Sequence, residues 1–249
     1  MRVRSGYFFA AVASPFMVMI ILLALPIFML AGISPETTRE STFEFNNEQL
    51  ANRFYPQFKD WAMEDKTPQR NATLCIGSSS MGLWKTINED LAPLEVIHRG
   101  FGGSQMSDVL VFEDFFNRYE AARIIVYQGD NDLAQSSNID SFIDQCKTFV
   151  KSMHKVRADT EIYFISIKPS VRRAARTSVY AEANARLKAF CDSDDRLHYI
   201  DIFTPMLDEA GNPRAELMAA DQLHINEAAY ALWTGIVRDA LGLDPLVVR

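Results

Sequence analysis

Between residues 73 and 202, short apolar runs alternate with longer stretches in which apolar positions recur every three or four residues. The short runs are TLCIG (73–77), LEVIHR (94–99), RIIVYQG (123–129), EIYFISI (161–167) and LHYIDI (197–202). Each is short for a helix and nearly continuous in its apolar character, which predicts strands buried on both faces. The longer stretches predict helices. SDVLVFEDFFNRY (107–119) sets Val109, Phe112, Phe116 and Tyr119 on one face, and IDSFIDQCKTFVKSMHKV (139–156) repeats the pattern with Ile139, Phe142, Ile143, Cys146 and Phe149. SVYAEANARLKAFCDS (178–193) and NEAAYALWTGIVRDAL (226–241) follow, the latter with Tyr230, Trp233, Ile236, Val237 and Leu241 in register. Strands alternating with helices predict a three-layer α/β/α sandwich around a parallel sheet of about five strands. Such sheets bind ligands beyond the carboxyl ends of their strands.

Upstream the pattern changes twice. In NNEQLANRFYPQFKDWAMEDK (46–66), Leu50, Phe54, Phe58 and Trp61 recur near helical spacing, and Pro56 is expected to break or kink that helix. Before it, residues 34–46 are polar and read as a linker to a domain spanning 47–249. Residues 7–33, YFFAAVASPFMVMIILLALPIFMLAGI, carry no charge and exceed the ~20 apolar residues that span a bilayer. Residues 1–33 therefore predict a transmembrane signal anchor, the run being long for a cleaved signal, although Ala31 and Gly32 leave cleavage open. Arg2 and Arg4 favour a cytoplasmic N-terminus, which puts the rest of the chain on the extracytoplasmic side, in the periplasm or at the cell surface.

Composition narrows the function. A chain of 249 residues, 48% hydrophobic, supports one sizeable core, and a formal charge of −7 argues against nucleic acid as a partner. The densest basic run, VRRAART (171–177), reads as solvated surface, the alternative being a rim that steers an anionic substrate. Cys75, Cys146 and Cys191 form no disulfide framework, the four dispersed histidines offer no metal site, and no cofactor is expected. Trp84 and Trp233 read as core or cleft walls, His98 and His198 as structural histidines, and Arg99 as a support for the loop that follows it.

Four segments placed after strands or before the last helix hold the candidate chemistry: GSSS (77–80), RGFGGSQMSD (99–108), YQGDNDL (127–133) and DQLHINEAAYALW (221–233). Singly they are ordinary turns. Together they contain what acyl transfer requires. A serine hydroxyl needs a base to take its proton, and His224 can be that base. Asp221, three residues earlier, can bond the far ring nitrogen and stabilise the imidazolium. Gly103, through its backbone N–H, Asn131, through its amide, and the serine's own N–H can stabilise a tetrahedral oxyanion.

These blocks resemble the GDSL/SGNH hydrolases, α/β/α esterases and lipases, over roughly residues 70–242, and most closely acylhydrolases related to the platelet-activating-factor acetylhydrolase type. The resemblance implies Ser79 as nucleophile, Gly103 and Asn131 as oxyanion-hole residues with the Ser79 N–H, and Asp221 and His224 as the remaining catalytic pair. Two departures stand out: Ser78 occupies the place of the motif's usual Asp, and Gln222 that of a more usual Gly. A shifted register would make Ser80 the nucleophile, but Gly77, Leu83 and Trp84 align without a gap when Ser79 is chosen. The implied activity is hydrolysis of a small-molecule, glycan or lipid ester, with short acyl chains favoured because no lid domain is available. Transfer of the acyl group to an extracytoplasmic polysaccharide is one alternative; a membrane-anchored binding module without turnover, suggested by Ser78, is another.

Overall fold

The computed structural model describes residues 43–67 and 69–246. The anchor predicted for 1–33 lies outside them, and among the described residues no helix is long and apolar enough to cross a membrane. The described chain begins with two helices, α1 (Asn47–Ala51) and α2 (Tyr55–Glu64). It continues β1 (Thr73–Gly77), α3 (Ser79–Gly82), α4 (Ile87–Asp90), β2 (Val96–Gly100), α5 (Met106–Val111), α6 (Glu113–Asn117), β3 (Arg123–Tyr127), α7 (Ile139–Val156), β4 (Glu161–Ile165), α8 (Thr177–Cys191), β5 (Leu197–Ile200) and α9 (Glu227–Ala240).

The five strands pair only in parallel, in the order β2-β1-β3-β4-β5. Side chains alternate across a strand with period two, and here both sides of the sheet are apolar. Leu74, Ile76, Ile124, Val126, Ile162 and Phe164 face one core, with Phe58, Phe101, Phe112 and Phe149. Cys75, Ile125, Tyr127, Tyr163 and Ile165 face the other, with Trp84, Trp233 and Val237. This is the predicted three-layer sandwich, and the continuous apolar runs are explained by burial on both faces. Trp84 and Trp233 are fully buried core residues, and all three cysteines are buried and free.

The local differences have physical reasons. Residues 107–119 form two helices rather than one, because Phe112 (φ −110°, ψ 22°) breaks the helical path so that Phe112, Phe115 and Phe116 can all enter the core. Pro56 does not break a helix but starts α2, where its missing N–H costs nothing. The break falls at Asn52, whose side chain accepts a hydrogen bond from Phe54 N, and Leu50 is left exposed. Phe43 and Phe45, in the stretch read as linker, pack edge-on against Phe115 and Tyr55. Arg99 does not support the loop after β2; it pairs with Asp65, donates to Tyr119 Oη and lies over Trp61, tying α2 to α6.

Candidate active site

At the carboxyl end of the sheet, the chain leaves β1 for one side of the sheet and β3 for the other, and the crevice between them is where such folds bind ligands. Ser79 stands directly beyond β1, at the first position of α3, and Asn131 four residues beyond β3. Gly103 lies in the turn after β2 with φ +80°, a conformation that glycine adopts without strain. Close approach of backbones holds these turns together: a Cβ on Gly100 would meet Gly82 N at 2.3 Å. Arg53, in the turn before α2, donates to Gly103 O at 2.7 Å, and Gln57 of α2 to Gly100 O at 3.2 Å, so this segment supports the end of β2 and the loop after it from outside.

The remaining two residues sit on the loop before α9. This loop is closed by Ala219 N donating to His224 O (2.7 Å) and Asn226 N donating to Leu217 O (3.1 Å). Asn226 caps α9 by accepting from Ala229 N. Asp221 Oδ1 accepts from the backbone N–H groups of Leu223 (3.0 Å) and His224 (2.9 Å), and its Oδ2 accepts from His224 Nδ1 at 2.5 Å. These donors, the two backbone amides first, hold the Asp221 carboxyl well below the usual carboxylate range. With Nδ1 donating to Asp221, His224 Nε2 is left to accept from the Ser79 hydroxyl, 3.0 Å away. Gln222 adopts φ +56°, which explains why glycine is the more usual residue there, and its carbonyl accepts from Arg172 N.

Ser79, Gly103, Asn131 and His224 together line a cavity of about 630 Å³. A second cleft of about 1070 Å³ shares Leu83, Lys85 and His224 with it and continues past Ala219, Ile225 and Tyr230. The sequence-derived set is thus gathered at one place. Ser80 is fully buried and does not line either space, and Ser78 turns its hydroxyl toward Asp130, at 3.4 Å.

Three charged groups at this site were not picked out as functional by sequence. Arg173 is not merely solvated surface: it donates to Asp130 O (2.7 Å) and to Asn131 Oδ1 (3.1 Å), so the Asn131 amide nitrogen faces the other way, donating to Ser104 O (3.0 Å). Arg176 donates to Leu133 O, and Arg172 is the exposed arginine of the run. Asp132 accepts from Met106 N and Gly129 N, and burial pushes its carboxyl up to about 6. Lys168, just past β4, is 1% exposed. Its place after a strand was the one signal that could have marked it. Among the described residues, no group of three or more His, Cys, Asp and Glu could hold a metal ion.

The sequence pattern of the GDSL-like Lipase/Acylhydrolase family matches residues 71–232, which contain every residue of this cluster. The chain belongs to the GDSL-like lipase/acylhydrolase family. No curated protein matches it in sequence. Among solved structures, the fold is similar to a GDSL-like lipase from Bacteroides thetaiotaomicron, with TM-score 0.64 and 16% identity over 74% of this chain and 97% of that one. It is also similar to the family 3 carbohydrate esterase of Clostridium thermocellum, with TM-score 0.54 and 14% identity over 68% and 94% of the two chains. The catalytic domain of peptidoglycan O-acetyltransferase A from Streptococcus pneumoniae gives TM-score 0.53 and 14% identity over 70% and 94%. At these identities the likeness concerns the fold.

Proposed function

We propose that this GDSL-family chain is a serine ester hydrolase acting through an acyl-enzyme on Ser79. The observation that carries the reading is the continuous contact from Ser79 Oγ to His224 Nε2 (3.0 Å) and from His224 Nδ1 to Asp221 Oδ2 (2.5 Å). In the first step Ser79 Oγ bonds to the ester carbonyl carbon while its proton passes to His224 Nε2. Asp221 stabilises the imidazolium without taking the proton itself. The N–H groups of Ser79 and Gly103 and the Asn131 amide receive the oxyanion. Such donors contribute about 2.7–4 kcal/mol each. Collapse breaks the bond to the alcohol, which leaves with the proton from His224. Water then bonds to the acyl carbon as its proton passes to His224, and collapse breaks the bond to Ser79 Oγ, which takes that proton back from His224 as the acid is released.

A sulfonyl fluoride is the direct test. It should add once to the protein, on the peptide containing Ser79, and abolish turnover of p-nitrophenyl acetate in proportion. Turnover that persists after full labelling of Ser79 overturns the reading.

The apolar run 7–33 after Arg2 and Arg4 supports an extracytoplasmic site tethered to the membrane, where glycan and lipid esters are the available substrates. That location, with the fold likeness to a peptidoglycan O-acetyltransferase domain, supports a second reading in which a sugar hydroxyl replaces water in the last step. Incubation with an acyl donor and a glycan acceptor separates the two, since hydrolysis yields free acid alone and transfer yields an esterified glycan.

A further inference from the structure

The Lys168 ammonium is buried, with 1% of its side chain exposed, and so is its partner Asp130, with 4%. Lys168 Nζ donates to Leu223 O at 2.8 Å and lies 3.3 Å from Asp130 Oδ2. The other carboxylate oxygen of Asp130 accepts from Ser78 Oγ at 3.4 Å. Arg173 stands at 3.5 Å, on the solvent side of the same carboxylate. A buried ammonium is costly unless it is paired and hydrogen-bonded, and removing one partner of such a pair leaves the other uncompensated. The pair retained at that cost touches Leu223 through Lys168 and Ser78 through Asp130, and these residues share one property with Asp130 itself. Leu223 directly precedes His224, Ser78 directly precedes Ser79, and Asp130 directly precedes Asn131.

We propose that Lys168 and Asp130 are a positioning pair that sets Ser79, Asn131 and His224 in mutual register by holding the residue before each of them. The proposal rests on the esterase reading and adds to it two residues that touch no reacting atom. It also accounts for the departure at the motif's second position. A carboxylate at residue 78 would stand beside that of Asp130 on the side away from Lys168 and Arg173, so a serine that donates to Asp130 fits where a second buried anion does not. The carboxylate of the site is supplied from the loop after β3 rather than from the turn after β1.

The test uses the full chain and three variants, with p-nitrophenyl acetate as substrate. Lys168→Met/Asp130→Asn removes both charges, so neither is left buried alone. It is expected to fold, with a wild-type circular dichroism spectrum, and to lose roughly 10- to 100-fold in kcat, as displacement of reacting groups by about 1 Å does. KM should stay within about threefold, because Asp130, the one cavity-lining residue changed, is replaced by an isosteric amide. Ser78→Asp alone should lower kcat comparably, and Ser78→Asp/Asp130→Ser, which moves the carboxylate without adding one, should regain most of it. A folded Lys168→Met/Asp130→Asn protein with wild-type kcat overturns the proposal, as does a Ser78→Asp protein indistinguishable from wild type. Ser79→Ala is measured in parallel: if it retains full turnover, the esterase reading fails. The pair is then judged by crystallography of the double variant, where a Ser79–His224 separation unchanged from 3.0 Å overturns it.

Discussion

His224 Nε2 lies 3.0 Å from Ser79 Oγ although 145 residues separate the two in the chain. Ser79 is placed there by the end of β1 and His224 by the loop before α9, so the contact is a product of the whole sheet. Replacing Ser79 by Ala should reduce ester turnover by at least about 10³-fold, leaving what the oxyanion donors and binding supply. Ser80→Ala, at a buried serine outside the cavity, should keep activity within a few-fold. Steady-state kinetics of the two folded variants decide the register, and activity lost with Ser80 rather than Ser79 would reverse it.

Asp221→Asn should fold and lose roughly 10⁴-fold in kcat, because an amide there no longer selects the tautomer in which Nε2 accepts from serine. The native carboxyl is held below its ordinary value, so the stability it contributes is present above about pH 4 and is lost as pH falls through the native value. Urea denaturation at pH 7 and pH 3 should therefore show the wild type losing its advantage over Asp221→Asn on acidification.

Asp132 behaves in the opposite sense. Burial raises its carboxyl from 3.8 to about 6, so the folded state holds this proton more tightly than the unfolded chain. Its contribution is complete below about pH 4 and disappears as pH rises through 6, with a slope of at most about 1.4 kcal/mol per pH unit. Asp132→Asn, which does not titrate, should be less stable than wild type at pH 4, where it loses one acceptor for Met106 N or Gly129 N. The gap should narrow toward pH 7 in a series of urea titrations.

Gln222 pays for its φ of +56°, since the left-handed region costs a side-chain-bearing residue about 1–2 kcal/mol. Gln222→Gly removes that strain and adds freedom to the unfolded chain, leaving a net gain of up to about 1 kcal/mol. Gln222→Val, β-branched, should lose about 1 kcal/mol by the same reasoning. Denaturation midpoints of the three proteins are expected to fall in the order Gly, Gln, Val.

Arg173→Ala should lower kcat by roughly 10-fold with the fold intact, since the Asn131 amide then keeps only its bond to Ser104 O and loses the donor that holds its oxygen. Arg172→Ala, at the exposed arginine of the same run, should leave kcat unchanged. Equal effects from the two would mean that the run acts through its charge and not through this contact.

The strands were legible because burial on both faces leaves an unbroken apolar run, a pattern that needs no knowledge of neighbours. The candidate site residues were legible for a related reason: they lie just after strands or just before the last helix, and the proposed chemistry limits which residue types can serve. What supports them was not. Arg173 and Lys168 have roles set by distance across the fold, and an arginine run is written the same way whether it faces water or a carbonyl. Phe112 illustrates the limit for helices, because the period of an amphipathic pattern is blind to a single residue whose backbone turns aside to bury three rings.

The loop that carries Asp221 and His224 is closed upon itself by Ala219 N and His224 O. Acid and imidazole therefore travel as one cartridge, assembled by a handful of neighbouring peptide groups and merely delivered by the sheet. Damage elsewhere in the fold would disengage the cartridge without dismantling it, so activity would vanish at the first small slip of alignment and return whole when the slip is undone.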